Sequence, residues 1–147
     1  MDVMIAPTMT VQLVHENAKL PTRSYPGDAG MDVYTPVDFS ISMGGSATIS
    51  LGWKCQIPDG WVLLVFNKSG IATKRELDKG AEVIDSGYRG EVHIHLFNHS
   101  NRPAYFEAGE KIAQLLLMPV WTGQPVEGHV KRNTRRGAGG FGSSGNK

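Results

Sequence analysis

The sequence predicts an all-β fold: an antiparallel sandwich, jelly roll or barrel with at most one short helix. Three observations carry this. Short strand-like segments recur at close spacing, each bounded by turn residues. In residues 91–98, Val92, Ile94 and Leu96 alternate with His93, His95 and Phe97, the period of a half-buried strand. Only residues 71–77 carry a helical pattern, and that helix would span about two turns.

In chain order, the expected strands are 10–15, 31–35, 47–57, 61–67, 81–85, 91–98 and 111–120. Turn signals separate them: Tyr25-Pro26-Gly27, Met43-Gly44-Gly45 and Pro58-Asp59-Gly60. At 147 residues with 40% hydrophobic side chains, the chain suffices for one packed core, which excludes disorder along its whole length. Lys plus Arg total 15 and Asp plus Glu 14, a net charge of +1, so no global charge argues for nucleic acid or membrane. The longest apolar runs, 61–66 and 115–121, fall far short of the roughly 20 residues a membrane helix needs. Asp2, and the alternation of Val11 and Leu13 with polar residues, read as neither signal nor transit peptide. Cys55 stands alone, so no intrachain disulfide forms, and a cytoplasmic setting is expected.

After Glu127 there is no acid, while Lys131, Arg132, Arg135, Arg136 and Lys147 are basic. Residues 137–145 hold one large apolar side chain, Phe141, among glycines and serines. Such a segment cannot bury enough surface to hold itself in place. Its backbone N–H groups, hydroxyls, arginines and single ring suit a phosphate-bearing ligand with a flat base. The G-x-G-x-x-G spacing of Gly137, Gly139 and Gly142 is no dinucleotide fingerprint, because neither a strand before it nor a helix after it is expected. His93 and His95 share a strand face, but a catalytic zinc needs a third ligand that the sequence does not place nearby. Asp85 and Tyr88 sit in a glycine-containing turn between strands, and Asp28 and Asp32 flank Gly30. Lys68-Ser69-Gly70 sets a cation and a hydroxyl where a strand gives way to a helix start.

In order, these segments resemble the motifs of the trimeric dUTP pyrophosphatases, the dUTPases. The first is Asp28-Ala29-Gly30-Met31-Asp32-Val33 and the second Asn67-Lys68-Ser69-Gly70-Ile71-Ala72. The third runs from Gly80 through Glu82, Ile84, Asp85 and Tyr88 to Gly90. The fourth runs from Gly109 to Leu115, and the fifth is Arg136-Gly137-Ala138-Gly139-Gly140-Phe141-Gly142-Ser143-Ser144-Gly145. The resemblance implies an antiparallel, jelly-roll-like barrel over residues 1–135 and a flexible glycine-rich lid over 136–147. It further implies hydrolysis of dUTP to dUMP and pyrophosphate, which limits uracil in DNA and supplies dUMP for dTMP synthesis.

Residue by residue, the resemblance makes Asp85 the base that activates the attacking water, with Asp32 a supporting acid. Tyr88 packs under the deoxyribose, and backbone at Gly80, Glu82 and Ile84 reads uracil. Lys68, Ser69, Gly70 and Gln114 face the phosphates. From the tail, Arg136, Gly142, Ser143 and Ser144 meet the phosphates and Phe141 covers the base. Mg²⁺ is implied as a passenger on the triphosphate, with Asp32 at most a water-mediated contact, and a homotrimer with shared active sites is implied as the assembly. Lys68 replaces a customary arginine, Gly87 a common acid and Glu82 a usual glycine. Two alternatives stay open: a dCTP deaminase of the same fold, whose glutamate position is held here by His95, and a nucleotide-binding regulator without turnover. Direct nucleic-acid binding is not expected.

Overall fold

The computed structural model describes residues 7–146; Asp2 and Lys147, used above, lie outside them. Ten strands and one helix follow in order among the described residues. They are β1 (Thr10–Leu13), β2 (Met31–Tyr34), β3 (Phe39–Ile41), β4 (Ser46–Gln56), β5 (Trp61–Phe66), α1 (Ser69–Arg75), β6 (Leu77–Lys79), β7 (Val83–Ile84), β8 (Glu91–Asn98), β9 (Ala104–Phe106) and β10 (Lys111–Pro119). Two four-stranded sheets, ordered β1-β4-β8-β6 and β2-β10-β5-β7, close over one core, and β3-β9 forms a small third sheet. Every pairing is antiparallel, as the strand patterning requires.

The alternation of β8 holds: Val92, Ile94 and Leu96 are buried while His93 and Phe97 face out. On β4, Ile49, Leu51, Trp53 and Cys55 enter the same core, where Leu63 and Val65 of β5 and Ile112 and Leu115 of β10 meet them. Burying each such aliphatic side chain contributes roughly 1.5–3 kcal/mol. Burial also pushes the Cys55 thiol above its ordinary pKa, against the pull of Arg89, which keeps it protonated. Asn98, though buried, is fully engaged: its Nδ2 donates to Ile41 O at 3.1 Å and Arg102 O at 2.8 Å, and its Oδ1 accepts from Ser100.

Several expectations need correction. The helix spans Ser69–Arg75 rather than 71–77, because Glu76 adopts a left-handed conformation (φ 54°) that ends it and turns Leu77 into the core as the first residue of β6. Strands β3, β6 and β9 were not expected, since three residues are too few to display a period; stacking of Phe39 on Phe106, with centroids 4.7 Å apart, joins β3 to β9. The expected strand 81–85 contracts to Val83–Ile84, and β1 stops at Leu13.

Gly52 interrupts the β4–β8 ladder. It sits at φ +76°, and a Cβ there would lie 2.8 Å from the Cβ of His15 and 3.0 Å from that of Ala18. Its carbonyl accepts from the backbone of both Val14 and His15, which folds the chain after β1 against β4. Gly52→Ala should therefore lower unfolding stability by about 1–2 kcal/mol for the left-handed backbone alone, with the clash adding to it. Urea unfolding monitored by tryptophan fluorescence measures this, and an unchanged midpoint would contradict the geometry.

Candidate functional site

The predicted site residues fall into three groups. The first gathers on the sheet β2-β10-β5-β7, where the register sets Gln114 of β10 opposite Asp32 on one side and Phe66 on the other. Asp32 is 5% exposed, and its carboxylate pairs with Lys68 through Oδ1 and with Lys111 at 3.1 Å through Oδ2. Ser24 Oγ adds a hydrogen bond at 3.2 Å. Burial by itself raises the pKa of Asp32, but the hydrogen bonds and positive charges of Lys68 and Lys111 outweigh it and hold the carboxyl below its ordinary value. The same pairing raises the pKa of Lys111.

Beside this cluster, Gln114 Nε2 donates to Asn67 O at 2.8 Å, and a Cβ at Gly30 would lie 2.2 Å from Gln114 Oε1. With glycine there, the Gln114 amide lies close against the Gly30 backbone, so the first and fourth motifs meet at this point. Asn67 in turn donates to Asp78 and accepts from Lys79 N, tying the end of β5 to β6. Ser69 and Gly70 open α1 and are exposed. The Lys68 ammonium, expected to be free for an anion, is instead turned onto Asp32. Lys111 and Ser24 were not anticipated; they meet Asp32 only through tertiary packing. Asp28 serves its turn instead, accepting from Tyr25 N at 3.1 Å.

The second group surrounds the turn after β7. A cavity of about 170 Å³ is lined by Val83, Ile84, Asp85, Tyr88, Val92 and His93. Tyr88 N bonds Asp85 O at 3.1 Å to close the turn, and Tyr88 Oη donates to Glu91 O at 2.7 Å. Arg89 braces it by donating to Ser86 O. Gly80 N donates to His95 O, and a Cβ at Gly80 would strike the His95 ring at 2.3 Å, so glycine lets the hairpin cross β8 closely. The Glu82 side chain points out to pair with Lys79, while its carbonyl accepts from Val65 N at 2.9 Å. His93, on the exposed face of β8, lines the cavity with Asp85.

These two groups do not meet within one chain. The pairs Leu64↔Val83 and Leu63↔Ile84 send Asp85 toward the level of Val62, whereas Gln114 and Asp32 lie at the level of Phe66. Four residues at about 3.3 Å separate those levels, and β2 and β7 are three strand spacings of about 4.8 Å apart. Among the described residues the third group, Arg136 to Ser144, bonds only locally: Arg136 Nε to Gly139 O at 2.7 Å, Gly137 N to Thr134 Oγ1 at 3.0 Å and Ser143 N to Gly140 O at 3.1 Å. Phe141 is fully exposed at φ 52°, and Gly142 lies at φ +88°.

A family model described as dUTPase matches residues 16–145. The chain belongs to the dUTPase family. The deoxyuridine 5'-triphosphate nucleotidohydrolase of Yarrowia lipolytica is 39% identical over 140 residues, covering 94% of this chain and 89% of that protein. The Arabidopsis thaliana enzyme of the same name is 39% identical over 140 residues, covering 95% and 84%. Among solved structures, the Staphylococcus bacteriophage 80alpha dUTPase with dUpNHpp superposes with a TM-score of 0.87 at 28% identity, covering 94% of this chain and 98% of that one. A point mutant of the dUTPase from phage phi11 of S. aureus, described with a structural Mg(II) ion, gives a TM-score of 0.80 at 25% identity, covering 86% and 99%. The all-β fold read from the strand pattern is thus the dUTPase fold.

Because its pKa is depressed, Asp32 stabilises the fold above the ordinary carboxylate value, and that contribution fades as pH falls through the lower native value. Asp32→Asn should lower stability at pH 7 by on the order of 2 kcal/mol, the scale of hydrogen bonds to a charged group. The difference between variant and native protein should narrow below about pH 4. Thermal unfolding across that range tests it: a gap that stays constant to pH 2 would show that the pair contributes nothing to stability.

Proposed function

We propose that this dUTPase hydrolyses dUTP to dUMP and pyrophosphate in a site assembled from different copies of a homotrimer. The observation that carries the shared site is the separation of Asp85 and Tyr88 from Asp32, Lys68 and Gln114 within one chain. A second copy brings the missing half. Further support comes from the stretch after β10, where Trp121 is 73% and Val126 89% exposed, apolar surface that this chain leaves uncovered.

In this reading the Asp85 carboxylate takes a proton from water as its oxygen attacks the α-phosphorus, and the bond to the bridging oxygen breaks to release pyrophosphate. The Tyr88 ring packs under the deoxyribose and leaves no room for a 2′-hydroxyl, while backbone at Gly80, Glu82 and Ile84 reads uracil. Ser69, Gly70 and Gln114 line the phosphate side. Lys68 and Lys111 hold Asp32 ionised and form the positive half of that wall. Arg136, Gly142, Ser143 and Ser144 close over the phosphates and Phe141 over the base, residues 136–147 acting as a lid on the body of residues 1–135.

Mg²⁺ fits as a passenger on the triphosphate. Among the described residues no three His, Cys, Asp or Glu side chains cluster to hold an ion, and both Asp32 oxygens are engaged by lysines. Bound with the substrate, the ion would supply charge neutralisation. The dCTP deaminase reading is not favoured, since His95 holds its Nδ1 2.6 Å from Thr48 Oγ1 and packs on Phe97, with no carboxylate there to move protons. The intact Asp85 and Tyr88 cavity likewise argues against a regulator without turnover. A cytoplasmic site of action belongs with this reading, although a Dictyostelium discoideum relative, 38% identical over 140 residues, is named as mitochondrial. No helix among the described residues is long and apolar enough to cross a membrane.

Asp85→Asn should still bind a non-hydrolysable dUTP analogue but turn over dUTP about 10²- to 10⁴-fold more slowly, the usual worth of a general base. Mixing that variant with chains truncated before Arg136 should regain activity that neither has alone. Pyrophosphate release measures both, and an active monomer by light scattering would refute the shared site.

Deleting residues 137–147 should leave the melting temperature nearly unchanged while turnover collapses, because among the described residues the tail's hydrogen bonds run within itself and to Thr134 and Arg136. Phe141→Ala should fall between the native protein and the deletion. Hydrogen exchange on the tail amides should slow when the analogue and Mg²⁺ are added, and equal protection in both states would mark the tail as passive.

A further inference from the structure

A second cavity lies away from the residues placed around dUTP above. It measures about 270 Å³ between the end of α1 and the loop from β8 to β9, lined by Arg75, Ser100, Arg102, Pro103, Ala104 and Tyr105. Arg75 follows Ser69 by six residues, about 9 Å along the helix axis. Packing fixes both arginines. The Arg75 guanidinium lies 3.9 Å from the centroid of the Phe106 ring, and its Nη2 donates to Tyr105 O at 2.7 Å. Phe106 is buried and stacks on Phe39, so this platform is held in place. Arg102 stands in a loop tied by the buried Asn98, whose Nδ2 donates to Arg102 O at 2.8 Å. The Nη2 of Arg102 reaches Lys74 O at 3.4 Å.

A guanidinium carries five N–H donors, and among the described residues these two spend one Nη2 each on the carbonyls named. Among the described residues neither pairs with a carboxylate, and no Asp or Glu lines the cavity. Two cations on the wall of one concavity repel each other, so an anion that engages both relieves that repulsion. The forks narrow its chemistry. A carboxylate presents its two oxygens to one guanidinium, whereas a tetrahedral phosphate offers oxygens to two guanidiniums at once. The exposed Tyr105 ring at the rim adds a flat face on which a base can stack. We propose that the cavity between Arg75 and Arg102 binds a phosphate group, free or carried by a nucleotide, at a site separate from that for dUTP.

The test follows the guanidinium N–H resonances of Arg75 and Arg102 in the native protein, first saturated with a non-hydrolysable dUTP analogue. Orthophosphate, pyrophosphate, dAMP or acetate is then added at constant ionic strength. Both arginines should shift and saturate with the phosphate compounds, and acetate should leave them nearly still. Tighter binding of dAMP than of orthophosphate, with a shift of the Tyr105 ring, would support the site and assign the phosphate to a nucleotide. Equal binding of the two would support it and assign the free ion. Arg102→Gln should weaken phosphate binding about tenfold, the scale of a charge-assisted hydrogen bond, while kcat and KM for dUTP stay unchanged. Arg102→Lys should recover only part of that loss, because it keeps the charge and gives up the fork. Equal shifts with acetate and phosphate, or full recovery in Arg102→Lys, would reduce the site to a patch of charge and overturn the proposal. Shifts that appear only when the dUTP analogue is left out would overturn it too, since the ion would then belong to the dUTP site.

Discussion

The register of β10 between β2 and β5 is the constraint on which the rest of the site depends. Gln114 stands opposite Asp32 on one side and Phe66 on the other, so one strand draws the first, second and fourth motifs to the same level of a sheet. A slip of one residue would turn Gln114 into the core and bring Ile112, Ala113 and Leu115 out of it. The hydrophobic contacts that hold those three buried thus also fix the polar wall. The bulge between Lys111 and Ala113 completes the arrangement, because it re-aims Lys111 to reach Asp32.

Once the register is set, electrostatics dictates the character of that wall. A carboxylate as buried as Asp32 is unfavourable alone, and two ammonium groups make its charge tolerable. The arrangement explains how lysine is accommodated at position 68. A compact ammonium on a flexible stem reaches one oxygen of Asp32 while Lys111 and Ser24 share the other, so no planar fork is needed to satisfy the acid.

The same sheet keeps the Asp85 turn at its far edge and other end, and the polypeptide beyond β10 carries exposed apolar residues away from the body. The folded chain thus buries its core while it leaves Asp85 apart from Asp32 and apolar side chains such as Trp121 and Val126 uncovered. The glycine-rich tail extends that logic. Among the described residues its backbone forms only local hydrogen bonds, and ordering so many glycines demands strong new contacts.

Much of this was legible in the sequence. The all-β class followed from the alternation around Val92, Ile94 and Leu96, and the ordered motifs named the residues that gather at Asp32 and around Asp85, because strand period and turn chemistry act over a few neighbours. Short strands such as Phe39–Ile41 and Ala104–Phe106 escaped, since stacking across the chain, not local period, makes them strands. The helix shifted because one left-handed residue, Glu76, answers to the burial of Leu77. The pairing of Lys68 and Lys111 with Asp32, the entry of His93 into the cavity of Asp85, and the separation of the two half-sites depend on which strands become neighbours. That choice belongs to the tertiary structure, because only packing of the whole core decides which distant segments share a sheet and at what register.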